Sequence, residues 1–77
     1  MTARERQRRT LYRAVGARLA AERSRQNMTQ QEVGAILGVS RVFVSVMEGG
    51  HSAILLEHLY NLAFAWDVPI TRLLPKG

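Results

Sequence analysis

A chain of 77 residues is long enough for one small domain and too short for two. It has no cysteine, which excludes disulfide bonds and thiolate metal sites. It also lacks a run of about 18 apolar residues, and no apolar stretch follows the basic N-terminus as a secretory signal requires. We therefore expect a small cytoplasmic domain with no membrane partner.

The positive charge is concentrated in the first third of the chain. Lys and Arg number 11 against 6 Asp and Glu, which gives a formal charge of +5. Residues 1–25 carry eight positive and two negative charges, whereas residues 26–77 carry three and four. Ten of the cations are Arg, whose planar guanidinium makes bidentate contacts with phosphate. Clustered Arg is typical of nucleic-acid binding, although a solvated basic surface has the same composition.

The first predicted element is an amphipathic helix. Leu11, Val15 and Leu19 recur at four-residue spacing and place one apolar stripe on a helix from about Thr10 to Arg25. Residues 1–9 are too polar to pack, so we predict a flexible basic arm there, or a frayed extension of the helix. The folded domain is then residues 10–77.

Two short helices are predicted next. The capping-box pattern of Thr29–Glu32 starts a helix at Gln30, and Gly38 ends it by adopting a left-handed conformation. Ser40 is a suitable N-cap for the following helix, which Gly49–Gly50 ends. Two short helices joined by a three-residue turn form a helix-turn-helix.

A longer helix and a short final one complete the prediction. The longer helix has a wide apolar face formed by Leu55, Leu56, Leu59, Leu62, Ala63 and Trp66. Ser52 is our candidate for its N-cap, and Pro69 can open the final helix, which carries Ile70, Leu73 and Leu74. The sequence therefore predicts an all-α fold of five helices.

The helix-turn-helix pattern resembles that of a known family. The residues that carry the resemblance are Gln30-Gln31-Glu32-Val33-Gly34, Leu37-Gly38-Val39-Ser40, Val44-Ser45 and Met47-Glu48-Gly49-Gly50. They resemble the lambdoid phage repressor and Cro (XRE-type) family, and the likeness extends from about Val15 to Leu74. The resemblance implies a compact five-helix phage-repressor-like DNA-binding domain with its helix-turn-helix at about residues 30–49.

The chain departs from the family pattern at three places. Gly34 stands where Ala is usual, Asn27 replaces a Gly, and Ile54-Leu55 replaces the Pro-Ser that opens the fourth helix. The size of the chain and the string Arg41-Val42-Phe43-Val44-Ser45 are similar to the small controller proteins of restriction–modification operons.

The resemblance implies that the third helix lies in the major groove of DNA, with its N-terminal residues near the base edges. The candidate base contacts are Arg41, Val42, Phe43, Ser45 and Val46. Arg41 could bind O6 and N7 of a guanine, or a phosphate instead. The apolar side chains could contact thymine methyls. Alternatively one of them, Phe43 above all, could pack on a neighbouring helix or subunit.

Candidate phosphate contacts lie beside this helix at Thr29, Gln30, Ser40, Gly50 and Ser52. Thr29 and Gln30 begin a helix, where free backbone amides attract anions. The resemblance places the Gln30 side chain on a phosphate and adds backbone contacts from residues 50–52. The alternative for Thr29 is capping alone. The arm residues Arg4, Arg6, Arg8 and Arg9 could reach the DNA backbone or a minor groove, or supply only non-specific attraction.

Two further contacts are predicted within and between chains. The resemblance implies a structural salt bridge between Arg23 and Glu48, beneath the recognition helix. Surplus apolar surface predicts a homodimer interface at Leu55, Tyr60, Phe64, Trp66, Ile70 and Leu74. A two-fold dimer would place two recognition helices about 34 Å apart, on near-palindromic operators.

Other functions are less compatible with the sequence. The histidines, His51 and His58, converge with no cysteine or paired carboxylate, so we predict no catalytic residue, metal or cofactor, and we expect His58 on a helix surface. RNA binding is disfavoured because side chains cannot enter the deep major groove of an A-form helix. The sequence predicts a homodimeric transcription regulator, possibly a repressor or a controller protein, that binds double-stranded DNA and shows no evident small-molecule ligand. The alternative is an antitoxin or antirepressor-type module whose main partner is another protein.

Overall fold

The computed structural model describes residues 1–76, and all of its regular structure there is helical. The elements are α1 (Ala3–Arg25), α2 (Gln30–Leu37), α3 (Arg41–Glu48), α4 (Leu56–Trp66) and a 3-10 turn (Ile70–Leu73). The all-α prediction is confirmed, but the predicted fifth helix is a single 3-10 turn. Pro75 explains its short length, because a proline pushes the preceding residue into extended backbone, as observed at Leu74.

Helix α1 begins at Ala3 rather than at about Thr10. Its N-cap is Thr2, whose hydroxyl oxygen accepts a hydrogen bond from the backbone N–H of Glu5 at 3.1 Å. The residues after this cap are mostly Ala, Arg, Glu and Gln, which are strong helix formers. Of the two alternatives given for the first nine residues, a flexible arm or an extension of the helix, the structure shows the extension: residues 3–9 form the exposed first turns of α1. At a rise of about 1.5 Å per residue the helix is about 34 Å long, close to the 36 Å longest extent of the protein.

The buried stripe of α1 starts later than predicted. Val15 and Leu19 are buried, but Leu11 is exposed. The N-terminal half of α1 projects past the other helices, so a leucine at this position has no core to enter. Gly16 marks the point where α1 crosses α3, because a Cβ there would lie 2.7 Å from the carbonyl oxygen of Glu48.

The boundaries of α2 and α3 agree with the sequence prediction. Thr29 and Glu32 form the complete capping box, with reciprocal hydrogen bonds of 2.8 and 3.1 Å. Gly38 ends α2 at a φ of +71°, and the Ser40 hydroxyl oxygen accepts from the backbone N–H of Phe43 at 3.0 Å. The local capping signals therefore position both helices of the helix-turn-helix.

The start of α4 differs from the prediction. Ser52 does not cap the helix; its hydroxyl donates to the carbonyl oxygen of Ala53 at 3.2 Å within the preceding loop. The N-cap is Leu55, which makes no capping hydrogen bond through its side chain. Ser52 lies too early in the chain, because residues 53–55 stay extended before the first turn of α4.

One core holds the four helices and the 3-10 turn together. Its buried apolar residues are Val15, Leu19, Val33, Val44, Met47, Leu59, Leu62, Ala63, Trp66 and Leu73. The indole N–H of Trp66 donates to the sulfur of Met28 at 3.1 Å, which joins α4 to the turn before α2. The prediction that Trp66 lies in a dimer interface is therefore wrong, since its ring fills the core instead.

A buried carboxylate fastens the C-terminal turn to α1. Glu22 is 1% exposed and accepts hydrogen bonds from Gln26 and Arg25 at 2.9 and 2.8 Å. A nitrogen of Arg72 in the 3-10 turn lies 3.7 Å from the same carboxylate. The hydrogen bond from Gln26 and the neighbouring Arg25 lower the pKa of Glu22, because they stabilise its charged form.

Across residues 1–76, every helix is too short or too polar to span a bilayer.

Candidate nucleic-acid interface

Helix α3 has one buried flank and one exposed flank. Val44 and Met47 are each 1% exposed and anchor the helix in the core. Arg41, Val42 and Ser45 lie on the opposite flank and are exposed. The recognition helix therefore presents a cationic group, an apolar group and a hydroxyl outward from its N-terminal turns.

The other two predicted base contacts are only half exposed. Phe43 packs against the core, and its ring meets the imidazole of His58 edge-on, with centroids 6.3 Å apart. Of the two alternatives for Phe43, the structure shows packing on a neighbouring helix. Val46 is half-buried at the edge of the exposed flank. Phe43 therefore joins α3 to α4 and is not part of the outer flank of α3.

His58 is buried, contrary to the expectation that it lies on a helix surface. It faces Phe43 because α4 turns this side toward α3. Its Nδ1 has no hydrogen-bond partner among residues 1–76. In the same part of the chain, no group of three or more His, Cys, Asp or Glu side chains is arranged to hold a metal ion.

The hydroxyls of Thr29 and Ser40 both serve as N-caps and are both exposed. Each oxygen accepts a hydrogen bond from the backbone N–H of the third residue of its helix. A hydroxyl also carries one donor hydrogen, which capping leaves unused. Capping therefore leaves both groups able to donate to an anion.

The side chain of Gln30 contacts α3 directly. Its amide nitrogen donates to Oε1 of Glu48 at 3.0 Å, which uses one of its two hydrogens. This contact joins the start of α2 to the end of α3. No local pattern predicts this contact, because the two residues lie 18 positions apart in the chain.

Arg23 and Glu48 form the ion pair that the resemblance implied. The guanidinium Nε lies 2.7 Å from Oε2 of Glu48, and Nη2 donates to Oε1 at 3.1 Å. A third nitrogen of Arg23 donates to the carbonyl oxygen of Met28 at 3.0 Å. The two side chains are 20% and 9% exposed, and the bond to Glu48 raises the pKa of Arg23. The pair fixes the C-terminal end of α3 against α1.

The loop of residues 50–52 follows α3 and lies next to α1. Gly50 has a φ of +74°, and both it and Ser52 are half-buried. The loop lies beside the C-terminal end of α3, whereas Thr29 and Gln30 lie at the start of α2. The predicted phosphate contacts therefore lie at three places: the start of α2, the N-cap of α3 at Ser40 and the loop after α3.

A second exposed surface lies on α4. Leu55, Leu56, Tyr60 and Phe64 are all exposed, and Phe64 reaches 78%. The rings of Tyr60 and Phe64 stack with centroids 6.5 Å apart. Ile70 and Leu74, the other predicted interface residues, are half-buried against the core. We call the exposed set Leu55, Leu56, Tyr60 and Phe64 the α4 apolar patch.

Comparison with known proteins agrees with this architecture. The helix-turn-helix family model HTH_3 matches residues 19–73. The chain belongs to this family. The resemblance to XRE-type proteins is thereby confirmed. No curated protein sequence matches the chain.

Several solved structures share the fold. The restriction-modification controller protein C.AhdI from Aeromonas hydrophila is 26% identical, with a TM-score of 0.73 over 80% of this chain and 90% of that one. The DNA-binding domain of BldD from S. venezulae is 29% identical, with a TM-score of 0.73 over 86% and 99% of the two chains. The clp gene regulator ClgR from C. glutamicum is 24% identical, with a TM-score of 0.74 over 80% of each chain, and shows the fold alone. The family and these neighbours support a DNA-binding transcription regulator rather than an enzyme.

Proposed function

We propose that the protein binds near-palindromic DNA operators as a homodimer and regulates transcription in the cytoplasm. The observation that carries this proposal is the division of α3 into a buried flank and an exposed one. A helix anchored on one flank can place its other flank in the major groove while the domain stays folded. Helix-turn-helix proteins contact bases in this way.

Each exposed side chain of α3 has a distinct role in the proposal. Arg41 binds O6 and N7 of a guanine, because its two-pronged guanidinium matches that pair of acceptors. Val42, which is 61% exposed, contacts a thymine methyl, and Ser45 hydrogen-bonds to a base or phosphate. Val46 contributes apolar contact at the edge of the flank.

Phosphate contacts hold the helix in register without reading sequence. We assign them to Thr29, Gln30, Ser40, Gly50 and Ser52. Support comes from the donor hydrogens that remain on the capping hydroxyls and from the free amides that begin α2. The Arg23–Glu48 pair keeps α3 at a fixed height above α1 while these contacts form.

The protein's role as a restriction–modification controller is a narrower proposal. It is supported by the string of residues 41–45, by the small domain and by the likeness to C.AhdI. A controller would bind operators near the genes of an endonuclease and its methyltransferase. Locating the selected operator in the source genome would show whether it adjoins such genes.

The test is selection of bound fragments from random duplex DNA, first with the unaltered protein. We expect enriched sites with two related half-sites whose centres lie about 10 base pairs apart. Enrichment of no sequence, or of sites without symmetry, contradicts the proposal.

Arg41→Ala then tests the assigned base contact. We expect loss of preference at one base position in each half-site, by about 1–3 kcal/mol, with little change on unrelated DNA. Arg6→Ala is the matched control, since it removes the same charge from the exposed end of α1. Uniform weakening of Arg41→Ala on every sequence would instead identify Arg41 as a phosphate contact.

A protein-binding module is the second candidate function. The exposure of Val42 and of the α4 apolar patch favours it, because apolar surfaces of this kind also dock protein partners. Titrations at several salt concentrations separate the two functions. DNA binding weakens steeply as salt rises, whereas apolar docking does not.

A further inference from the structure

A groove of about 360 Å³ lies between the N-terminal half of α1 and the loop that follows α3. Its α1 wall consists of Glu5, Arg8, Arg9 and Tyr12, and residues 50–53 form the opposite wall. The four α1 residues are spaced three and four apart, so they share one face of the helix. The basic end of α1 and a loop predicted to touch phosphate therefore border the same space.

The two walls of the groove approach each other closely at Gly50. A Cβ at Gly50 would lie 2.7 Å from Cα of Arg13, so only glycine allows the loop to approach α1 this closely. Arg13 is one turn beyond Arg9 on the same helix. At the other end of this segment, Thr2 caps α1 and fixes its first turn. The groove arginines thus project from a regular helix beside the loop.

The chemistry of the lining suits an anion. Arg8 and Arg9 provide two guanidinium groups, and the imidazole of His51 and the hydroxyl of Tyr12 provide further hydrogen-bond donors. Glu5 is the acidic member of the lining, and its carboxylate accepts from the Thr2 hydroxyl at 3.1 Å. Arginine binds phosphate oxygens through paired hydrogen bonds, which gives both strength and orientation.

We propose that this groove binds a phosphate of the DNA backbone, so that the DNA contact surface continues from the loop onto α1. The proposal rests on the proposed function and deepens it by adding a positioning contact outside the helix-turn-helix. A backbone phosphate is favoured over a base because the groove adjoins the C-terminal end of α3, away from the N-terminal turns that face base edges.

The first test compares two double variants with equal loss of charge. Arg8→Gln/Arg9→Gln removes the groove arginines, and Arg4→Gln/Arg6→Gln removes two arginines of the same helix end that do not line the groove. Glutamine is a strong helix former, and circular dichroism of both variants checks that α1 is retained. On the selected operator, we expect the groove variant to lower the slope of log affinity against log salt by about 1 per lost phosphate contact. The control variant Arg4→Gln/Arg6→Gln should change this slope less. Neither double variant should alter base preference.

The second test maps the contact to a single phosphate. Methylphosphonate substitution removes the charge of one DNA phosphate at a time. At one position in each half-site, we expect this substitution to lower the affinity of the unaltered protein for the operator. The affinity of Arg8→Gln/Arg9→Gln should not change at that position. Glu5→Gln should strengthen operator binding, because it removes the negative charge that faces the phosphate, whereas Glu57→Gln on α4 should not.

The outcomes separate this proposal from the proposed function. If the unaltered protein selects no operator, both are overturned. If it selects an operator but the two double variants give equal slopes and the same methylphosphonate profile as the unaltered protein, the groove proposal alone is overturned.

Discussion

Two glutamates hold α1 against the rest of the protein. Glu48 at the end of α3 accepts from Arg23 of α1 and from Gln30 of α2, so three helices meet at one carboxylate. Glu22 of α1 faces Arg72 of the 3-10 turn. A buried ion pair adds little net stability, but removing one partner leaves an uncompensated charge, at a cost of about 3–5 kcal/mol when burial is complete. These two carboxylates therefore determine the arrangement of the helices more than their total stability.

Glu22→Gln tests the carboxylate through the pH dependence of folding. The pKa of Glu22 is lowered from its ordinary value of 4.5 in the folded protein, so the unfolded chain takes up the proton first. Its contribution to the free energy of unfolding is therefore present above pH 4.5. That contribution declines as the pH falls and is lost below the lowered pKa. We expect Glu22→Gln to destabilise the protein at pH 7 by about 1.5 kcal/mol, the low end for hydrogen bonds to a charged group, because both arginines are about half exposed.

Urea unfolding at pH 7 and at pH 3 provides the measurement. The difference between Glu22→Gln and the unaltered protein should be smaller at the lower pH, because the stabilisation that comes from the charged carboxylate declines once the unfolded chain is protonated. Glu57→Gln, an exposed carboxylate on α4, is the control and should stay within about 0.5 kcal/mol at neutral pH. A constant difference at the two pH values would contradict this interpretation.

At the scale of elements, the recognition helix is in contact with the other three helices. Helix α1 passes beneath its C-terminal end at Gly16, where a Cβ would contact the carbonyl oxygens of Met47 and Glu48. Helix α2 also packs against it, and α4 adds an edge-on contact between His58 and Phe43. The exposed flank of α3 is therefore held at a fixed height and angle before any DNA arrives.

Gly16→Ala tests the crossing of α1 and α3. In an open helix, replacing Gly by Ala stabilises the fold by about 1 kcal/mol. Here we expect destabilisation by about 1–3 kcal/mol, because the added methyl group pushes two backbones apart as in an overpacked core. Operator affinity should fall as well, since the end of α3 shifts.

Thermal unfolding and operator titration measure the two effects. The control is Ala21→Gly at an exposed position of the same helix, which should cost about 0.5–1 kcal/mol from propensity alone and leave operator affinity unchanged. If Gly16→Ala is more stable than the unaltered protein, helix propensity dominates and the crossing is not tight.

At the scale of the whole molecule, the exposed surfaces have different chemical character. The first turns of α1 are basic, the outer flank of α3 mixes an arginine with small and apolar groups, and the α4 apolar patch is unusually hydrophobic for an exposed helix face. Apolar patches of this kind on small proteins mark association sites. We assign this patch to the proposed homodimer, with Ile70 beside it at the rim of an open groove of about 470 Å³.

Phe64→Glu tests that assignment. Because Phe64 is 78% exposed, we expect the variant to keep its fold but to become monomeric in sedimentation equilibrium. Affinity for an operator with two half-sites should fall by about 100-fold or more, because a monomer carries only one recognition helix and cannot bind both half-sites at once. Affinity for a single half-site should change little.

Leu11→Glu supplies a matched control for this experiment. It makes the same apolar-to-acidic change at an exposed position of α1, on a different part of the surface. It should leave the oligomeric state unchanged. If Phe64→Glu remains dimeric, the dimer interface does not lie on α4.

The sequence by itself determined the helix-turn-helix and its family. The capping box at Thr29, the glycine at position 38 and the serine at position 40 set the boundaries of α2 and α3 through contacts only two to four residues long. Such capping signals act locally, so they can be recognised in the sequence without knowledge of the fold. The resemblance also pointed to the residues of the outer flank of α3, of which Arg41, Val42 and Ser45 are exposed and Phe43 and Val46 are half-buried.

Only the tertiary structure decided which apolar and ionisable groups are buried. Leu11 and Trp66 are both large and apolar, yet one is exposed on the projecting end of α1 and the other fills the core. His58 and Glu22 are polar, yet both are buried: His58 meets the ring of Phe43 on α3, and Glu22 lies beside Arg25 of its own helix and Arg72 of the 3-10 turn. Burial depends on elements that lie far apart in the chain, and no local pattern records which of them will meet.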